Sequence, residues 1–158
     1  MVDKALFSSE TTEWGTPDEL FDGLDKEFNF NLDPAATKVN AKTDYFYDIE
    51  SDGLFKSWYI HRFLELASEK GRVFCNPPYG RNVGEWVAKA DEEFRSGNAE
   101  LIVMLLPSRT DVKWFHQYIY NKPNVSIRFI KGRLTFKGAK HPAPFPSMLV
   151  IWERVEDK

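Results

Sequence analysis

The sequence predicts an α/β fold: a mainly parallel sheet flanked by helices, with an antiparallel C-terminal hairpin at its edge. Two observations carry this. Helix-like and strand-like segments alternate through most of the chain and give way to strands near its end. The run Leu101 to Leu106 is apolar without a break, the pattern of a strand buried on both faces between helices.

Element by element, Thr16-Pro17-Asp18-Glu19 opens the first helix with a hydroxyl cap, a proline at the first helical position and acids in the first turn. Leu20, Phe21, Leu24 and Phe28 then recur at helical spacing. Phe28 to Asp33 reads as a short strand that Pro34-Ala35-Ala36 ends, with small residues permitting close approach of a ligand. Thr37 to Gly53 is polar and reads as loop, and Leu54 to Gly71 as a helix carrying Phe55, Trp58, Phe63, Leu64 and Ala67. A strand over Arg72 to Asn76 and a helix over Val83 to Gly97, with Trp86, Val87, Ala90 and Phe94 on one face, lead into Leu101 to Leu106. Thr110 and Asp111 open a further helix bearing Trp114, Phe115, Tyr118 and Ile119. Val125 to Ile130, Leu134 to Phe136 and Met148 to Trp152 supply three final strands, the last two expected to form the hairpin. Asp33, Asn76 and Pro107 all fall at carboxyl ends of strands, where open sheets of this type bind their ligands.

A chain of 158 residues, 42% hydrophobic and 15% aromatic, is expected to fold as one domain over 1–158 around one core. No run approaches the roughly 18 apolar residues of a membrane span, and the N-terminus lacks the apolar run of a signal peptide. No membrane contact and a cytoplasmic location are therefore expected. Cys75 is the single cysteine, which excludes an internal disulfide and a cysteine-based zinc site, and its place on a buried strand suits a small apolar role. His61, His116 and His141 share no metal-ligand spacing, so no metal is expected. The formal charge of -3 hides an asymmetry: residues 109 to 141 hold 8 Lys and Arg against Asp111 alone. That segment is either a solvated basic face or a phosphate-contacting one.

The most informative segment is Asn76-Pro77-Pro78-Tyr79. Two prolines after an apolar strand keep the backbone from hydrogen-bonding onward and leave the Asn76 amide and the Pro77 carbonyl as acceptors. An aromatic amine such as adenine N6 is a poor nucleophile because its lone pair is delocalised into the ring. Two acceptors gripping its hydrogens favour a pyramidal nitrogen aimed at an electrophile, and Tyr79 is a platform for a base rotated out of a duplex. In isolation the triplet Pro-Pro-Tyr is equally a proline-rich turn or a ligand for proline-binding modules. Its position between a buried strand and a helix favours a site.

From Glu13 to Trp152 the chain resembles the phage-type DNA N6-adenine methyltransferase family. The matching segments are Trp14-Gly15-Thr16-Pro17, Leu32-Asp33-Pro34-Ala35-Ala36-Thr37, Asp52-Gly53-Leu54, Asn76-Pro77-Pro78-Tyr79-Gly80-Arg81, Leu106 to Asp111, Gly132-Arg133-Leu134 and Ala143 to Ser147. The resemblance implies a Rossmann-like class I methyltransferase sheet, S-adenosylmethionine as cofactor, double-stranded DNA as partner, and a monomer or homodimer in a bacterial host cell. By similarity, Asn76, Pro77, Pro78 and Tyr79 are the catalytic motif. Trp14, Thr16, Pro17, Asp33, Pro34, Ala35 and Asp52 are implied to hold the cofactor, and Arg81, Arg109, Thr110, Lys131, Arg133 and Phe145 the DNA.

Several of these residues have a plainer reading. Asp33 also suits a turn cap, Thr110 a helix cap, and Phe136 and Phe145, candidates to flank the flipped base, also suit a core. Asp44 competes with Asp52 for the cofactor ribose. The chain departs from the wider methyltransferase pattern where Ala35-Ala36-Thr37 replaces a Gly-x-Gly after the first strand. Two rival functions share these features: methylation of a glutamine amide or RNA base, and a catalytically silent nucleic-acid-binding module.

Overall fold

The computed structural model describes residues 15–37, 39–48, 51–62, 67–80 and 82–155. In chain order the elements are α1 (Asp18–Phe28), β1 (Leu32–Asp33), β2 (Tyr45–Phe46), β3 (Ile60–Arg62), β4 (Ala67–Glu69), β5 (Gly71–Cys75), α2 (Val83–Arg95), β6 (Ala99–Pro107), a π-helical turn (Phe115–Ile119), β7 (Val125–Phe129) and β8 (Ser147–Glu153). Six strands form one sheet in the order β2-β1-β5-β6-β8-β7. β2, β1, β5 and β6 pair in parallel, and β8 runs antiparallel to both β6 and β7. The mainly parallel sheet with an antiparallel edge is therefore present.

Each long strand is buried because its side chains alternate between two apolar layers. Leu101, Val103 and Leu105 of β6 pack with Phe21, Leu24 and Phe28 of α1, whereas Ile102, Met104 and Leu106 pack with Trp86, Val87, Ala90 and Phe94 of α2. This accounts for the unbroken apolar run in the sequence. Both helices place their 3.6-periodic faces inward as the spacing requires.

Five expectations are corrected. The segment from Leu54 to Gly71 is not a helix: its described residues turn through 53–56 and then form the antiparallel pair β3–β4. Phe63 and Leu64 lie outside the described residues. Trp58 and Ile60 are buried, and the Trp58 backbone N–H donates to Glu93 Oε2 at 3.1 Å, so tertiary anchoring overrides the apolar spacing. The first strand is only Leu32–Asp33, because Phe28 belongs to α1 and Asn29 ends that helix in a left-handed conformation. Leu134 to Phe136 is not a strand, so β8 pairs instead with β7, and the connection between them is long. The helix expected from Thr110 begins only at 113 and continues as the π-helical turn. The stretch read as loop from Thr37 to Gly53 also hides β2, too short and polar to register as a strand.

Candidate active site

β1, β5 and β6 are parallel and end at Asp33, Cys75 and Pro107, so the three motif positions converge on one edge of the sheet. From β1 the chain passes to β2 on one side, and from β5 it passes to β6 on the other. The two loops diverge and leave a crevice between β1 and β5, the kind of switch point at which such sheets bind ligands. A cleft of about 280 Å³ lies there, lined by Pro34, Ala35, Tyr47, Asp48, Asp52 and Gly53 from the β1 side, and by Leu54, Pro78, Asn82 and Trp86.

Its walls are held by short-range backbone and side-chain bonds. Tyr47 N–H donates to the Asp33 carbonyl at 3.0 Å, and Ala36 N–H donates to the Tyr47 carbonyl at 2.9 Å. Asp52 adopts φ 48° and accepts the Leu54 N–H on Oδ1 at 3.1 Å. Trp58 Nε1 donates to the Gly53 carbonyl at 2.9 Å. Gly53 lies so close to Pro34 that a Cβ there would meet the Pro34 carbonyl oxygen, and only glycine permits that approach.

Asp33 is buried, with Oδ1 accepting the Ala35 N–H at 3.2 Å and Oδ2 the Lys42 N–H at 3.4 Å. Burial pushes its carboxyl up to about 6, against the opposing pull of those two N–H groups and the Lys42 charge. The turn-capping reading of Asp33 is thus realised in the structure. Pro34 and Ala35 line the cleft. Asp52 lines it too, whereas Asp44 is exposed and does not. Trp14 lies outside the described residues.

Thr16 is 3% exposed, and its Oγ1 accepts a hydrogen bond from Asn76 Nδ2 at 3.1 Å. The expected role of Thr16 as a helix cap is corrected by this: α1 has Pro17 at its N-cap and no side-chain cap bond. The threonine hydroxyl accepts from the Asn76 amide instead. Tyr79 O–H donates to the Leu105 carbonyl at 3.0 Å, and its ring meets Phe136 and Phe145 edge-on at 6.0 and 5.6 Å between centroids. Burial raises the hydroxyl well above its ordinary value, so it stays a donor. Cys75 is fully buried and its thiol is likewise raised by burial, in keeping with an inert apolar role.

The expected nucleic-acid residues divide. Arg109, Thr110, Lys131 and Arg133 are exposed, Phe145 is half-buried beside Tyr79, and Arg81 lies outside the described residues. Because β7 runs in the same direction as β6, with β8 antiparallel between them, the loop between β7 and β8 returns to the edge that carries Asn76. Residues 131 to 146 hold Lys131, Arg133, Lys137 and Lys140 and no acid. Arg128 and Lys137 are partly committed within the fold, to Glu27 at 2.6 Å and Asp18 at 3.1 Å.

Sequence reasoning missed Tyr47, Asp48, Asn82 and Trp86 as cleft residues. Trp86 stood out only as a core position, and Tyr47 and Asp48 sat in a segment read as featureless loop.

A family model described as DNA N-6-adenine-methyltransferase (Dam) matches residues 4–158. The chain belongs to that family. Dam membership implies DNA adenine methylation as the general activity, DNA as substrate and S-adenosylmethionine as methyl donor. No curated protein matches the chain. Among the described residues of this Dam-family chain, no helix is long and apolar enough to cross a membrane.

Proposed function

We propose that this chain methylates the N6 amine of adenine in double-stranded DNA by direct in-line transfer to a base rotated out of the duplex. We also read the sheet as a Rossmann-like class I methyltransferase domain. The observation that carries the proposal is the position of Asn76-Pro77-Pro78-Tyr79 at the tip of β5, beside a cleft at the switch point.

The cleft residues suit the nucleoside part of S-adenosylmethionine. Asp52 and Asp48 supply carboxylates of the kind that hold ribose hydroxyls, and Leu54, Trp86 and Tyr47 supply apolar and aromatic walls for an adenine ring. Thr16 is bonded to Asn76 and Asp33 ends the strand next to β5, which suits them to the methionine end, with Pro17 leading into α1. When bound, the cofactor supplies an electrophilic methyl group on a cationic sulfonium.

The chain's own residues do the rest. Asn76 Oδ1 and the Pro77 carbonyl accept the two N6 hydrogens, which localises the lone pair on nitrogen and aims it along the transfer axis. Neither group is a strong base, so the proton lost from N6 passes to water once the new N–C bond has formed. Tyr79, fixed at its hydroxyl by Leu105, stacks on the extruded base and offsets part of the few kcal/mol that unstacking costs. Phe145 borders the same space. Lys131, Arg133, Arg109 and Thr110, with Arg81, contact phosphates and set the position of the duplex.

The test is Asn76→Ala. Transfer of labelled methyl from S-adenosylmethionine to DNA should fall by at least about 1,000-fold, as when a preorganised polar group is removed from a transition state, with cofactor affinity held within about threefold. A variant with near-parental turnover would refute the assignment.

A further inference from the structure

Resting on that reading of Asn76, we infer that Thr16 is a positioning residue: its hydroxyl holds the Asn76 amide so that the amide oxygen, not the nitrogen, faces the target amine. A primary amide presents two donors at one end and an acceptor at the other. Rotated by half a turn, Asn76 would offer N–H groups to an amine that needs acceptors, and transfer would lose one of its two grips. A residue able to accept from Nδ2 is therefore required on the far side of the side chain. Thr16 Oγ1 does so at 3.1 Å.

Three features make this bond a fixed element and not a chance contact. Thr16 is 3% exposed, so water does not compete for its oxygen. Its neighbour Gly15 pairs with Lys137, whose N–H donates to the Gly15 carbonyl at 2.8 Å. On the other side Pro17 leads directly into α1, where Phe21 N–H donates to the Pro17 carbonyl at 3.1 Å. Thr16 is thus clamped between a core-packed helix and the basic loop, 60 residues from Asn76 in sequence. Accepting from Asn76 also leaves the hydroxyl its own proton, which it can donate elsewhere in the site.

The experiment compares Thr16→Val, which keeps the shape and removes the oxygen, with Thr16→Ser, which keeps the oxygen. T16V should lower kcat, measured at saturating S-adenosylmethionine, by about 10- to 100-fold while KM for DNA stays within about threefold, and T16S should recover kcat to within about threefold. A T16V enzyme with unchanged kcat overturns the inference, and so does one that loses cofactor affinity alone, which would make Thr16 a cofactor ligand only. If Asn76→Ala is itself active, the reading of the site fails and not merely the role of Thr16. Solution NMR of the parent chain keeps the inference falsifiable should T16V not fold. The Asn76 side-chain N–H signals should exchange slowly with solvent, and exchange at the rate of a free amide contradicts it.

Discussion

On the β1 side of the sheet, residues 33 to 58 are tied to one another and to α2: Asp33 to Ala35 and Lys42, Tyr47 to Asp33, Trp58 to Gly53 and Glu93. On the β7 side, residues 131 to 146 return across the same edge with most positions exposed. Phe136 and Ala143 are the buried anchors, and the bonds Ala143 to Leu134 and Ala139 to Phe136 are local. Under the proposed function, the contrast separates two tasks. The cofactor side must hold a small ligand and an amide to within a fraction of an ångström, which needs a bonded and packed wall. The DNA side must meet a long, charged and deformable partner, and exposed cations on a surface loop suit that. Asn76 and Tyr79 sit where the two systems meet, with Thr16 and Lys137 joining them.

The comparison is broken most severely at Gly53. Alanine there would drive its Cβ into the Pro34 carbonyl, so Gly53→Ala should destabilise the fold by about 1–3 kcal/mol and weaken cofactor binding at least about tenfold. Gly138, on the other loop, has φ +84° but open space around it. Gly138→Ala should cost only about 1 kcal/mol of backbone strain and leave cofactor affinity unchanged. Thermal melts and calorimetry on the two variants read the difference; equal losses would mean that the two sides are not built differently.

Next in size is the charge on the β7–β8 loop. Replacing Lys131 and Arg133 together with Ala should raise KM for DNA about tenfold and reduce the steepness of its dependence on log salt by about 2, while Kd for the cofactor does not move. An unchanged salt slope would make this loop a solvated face.

The smallest effect is a pH dependence. Asp33 titrates at about 6 in the fold, above the ordinary 3.8, because burial disfavours its charge. As pH rises from the lower value through the upper one, the unfolded carboxyl ionises first, so Asp33 contributes less stability across that window and nothing further changes above it. Cofactor affinity runs the other way: if the Asp33 carboxylate faces the cofactor ammonium, Kd should rise about threefold to fivefold between pH 7 and 5.5, and Asp33→Asn should abolish that trend. A parental Kd that stays flat over the interval would confine Asp33 to its turn.

Legibility in the sequence followed how much of each element's pattern is local. β6 and α2 carry their burial in their spacing, so Leu101 to Leu106 and Trp86, Val87, Ala90 and Phe94 were readable. The tip Asn76 to Tyr79 was readable because two prolines stop a strand wherever they occur. The β3–β4 pair was not: its neighbourhood has helix-like spacing, and the deciding contact, Glu93 to the Trp58 backbone, spans 35 residues. Likewise β7 found its partner across a long loop in which Leu134 to Phe136 has strand composition but packs as irregular chain. In the site, Thr16 was visible as a site residue but not as the partner of Asn76, since a hydroxyl and an amide 60 residues apart leave no mark on either local pattern.

The central claim is tested most directly by incubating the purified chain with double-stranded DNA and S-adenosylmethionine, digesting the DNA to nucleosides and resolving them by mass spectrometry. The account predicts N6-methyladenosine in its deoxy form as the new product, absent when Asn76 is Ala. A methyl group found on another base or atom, or formed equally well without the Asn76 amide, would contradict it.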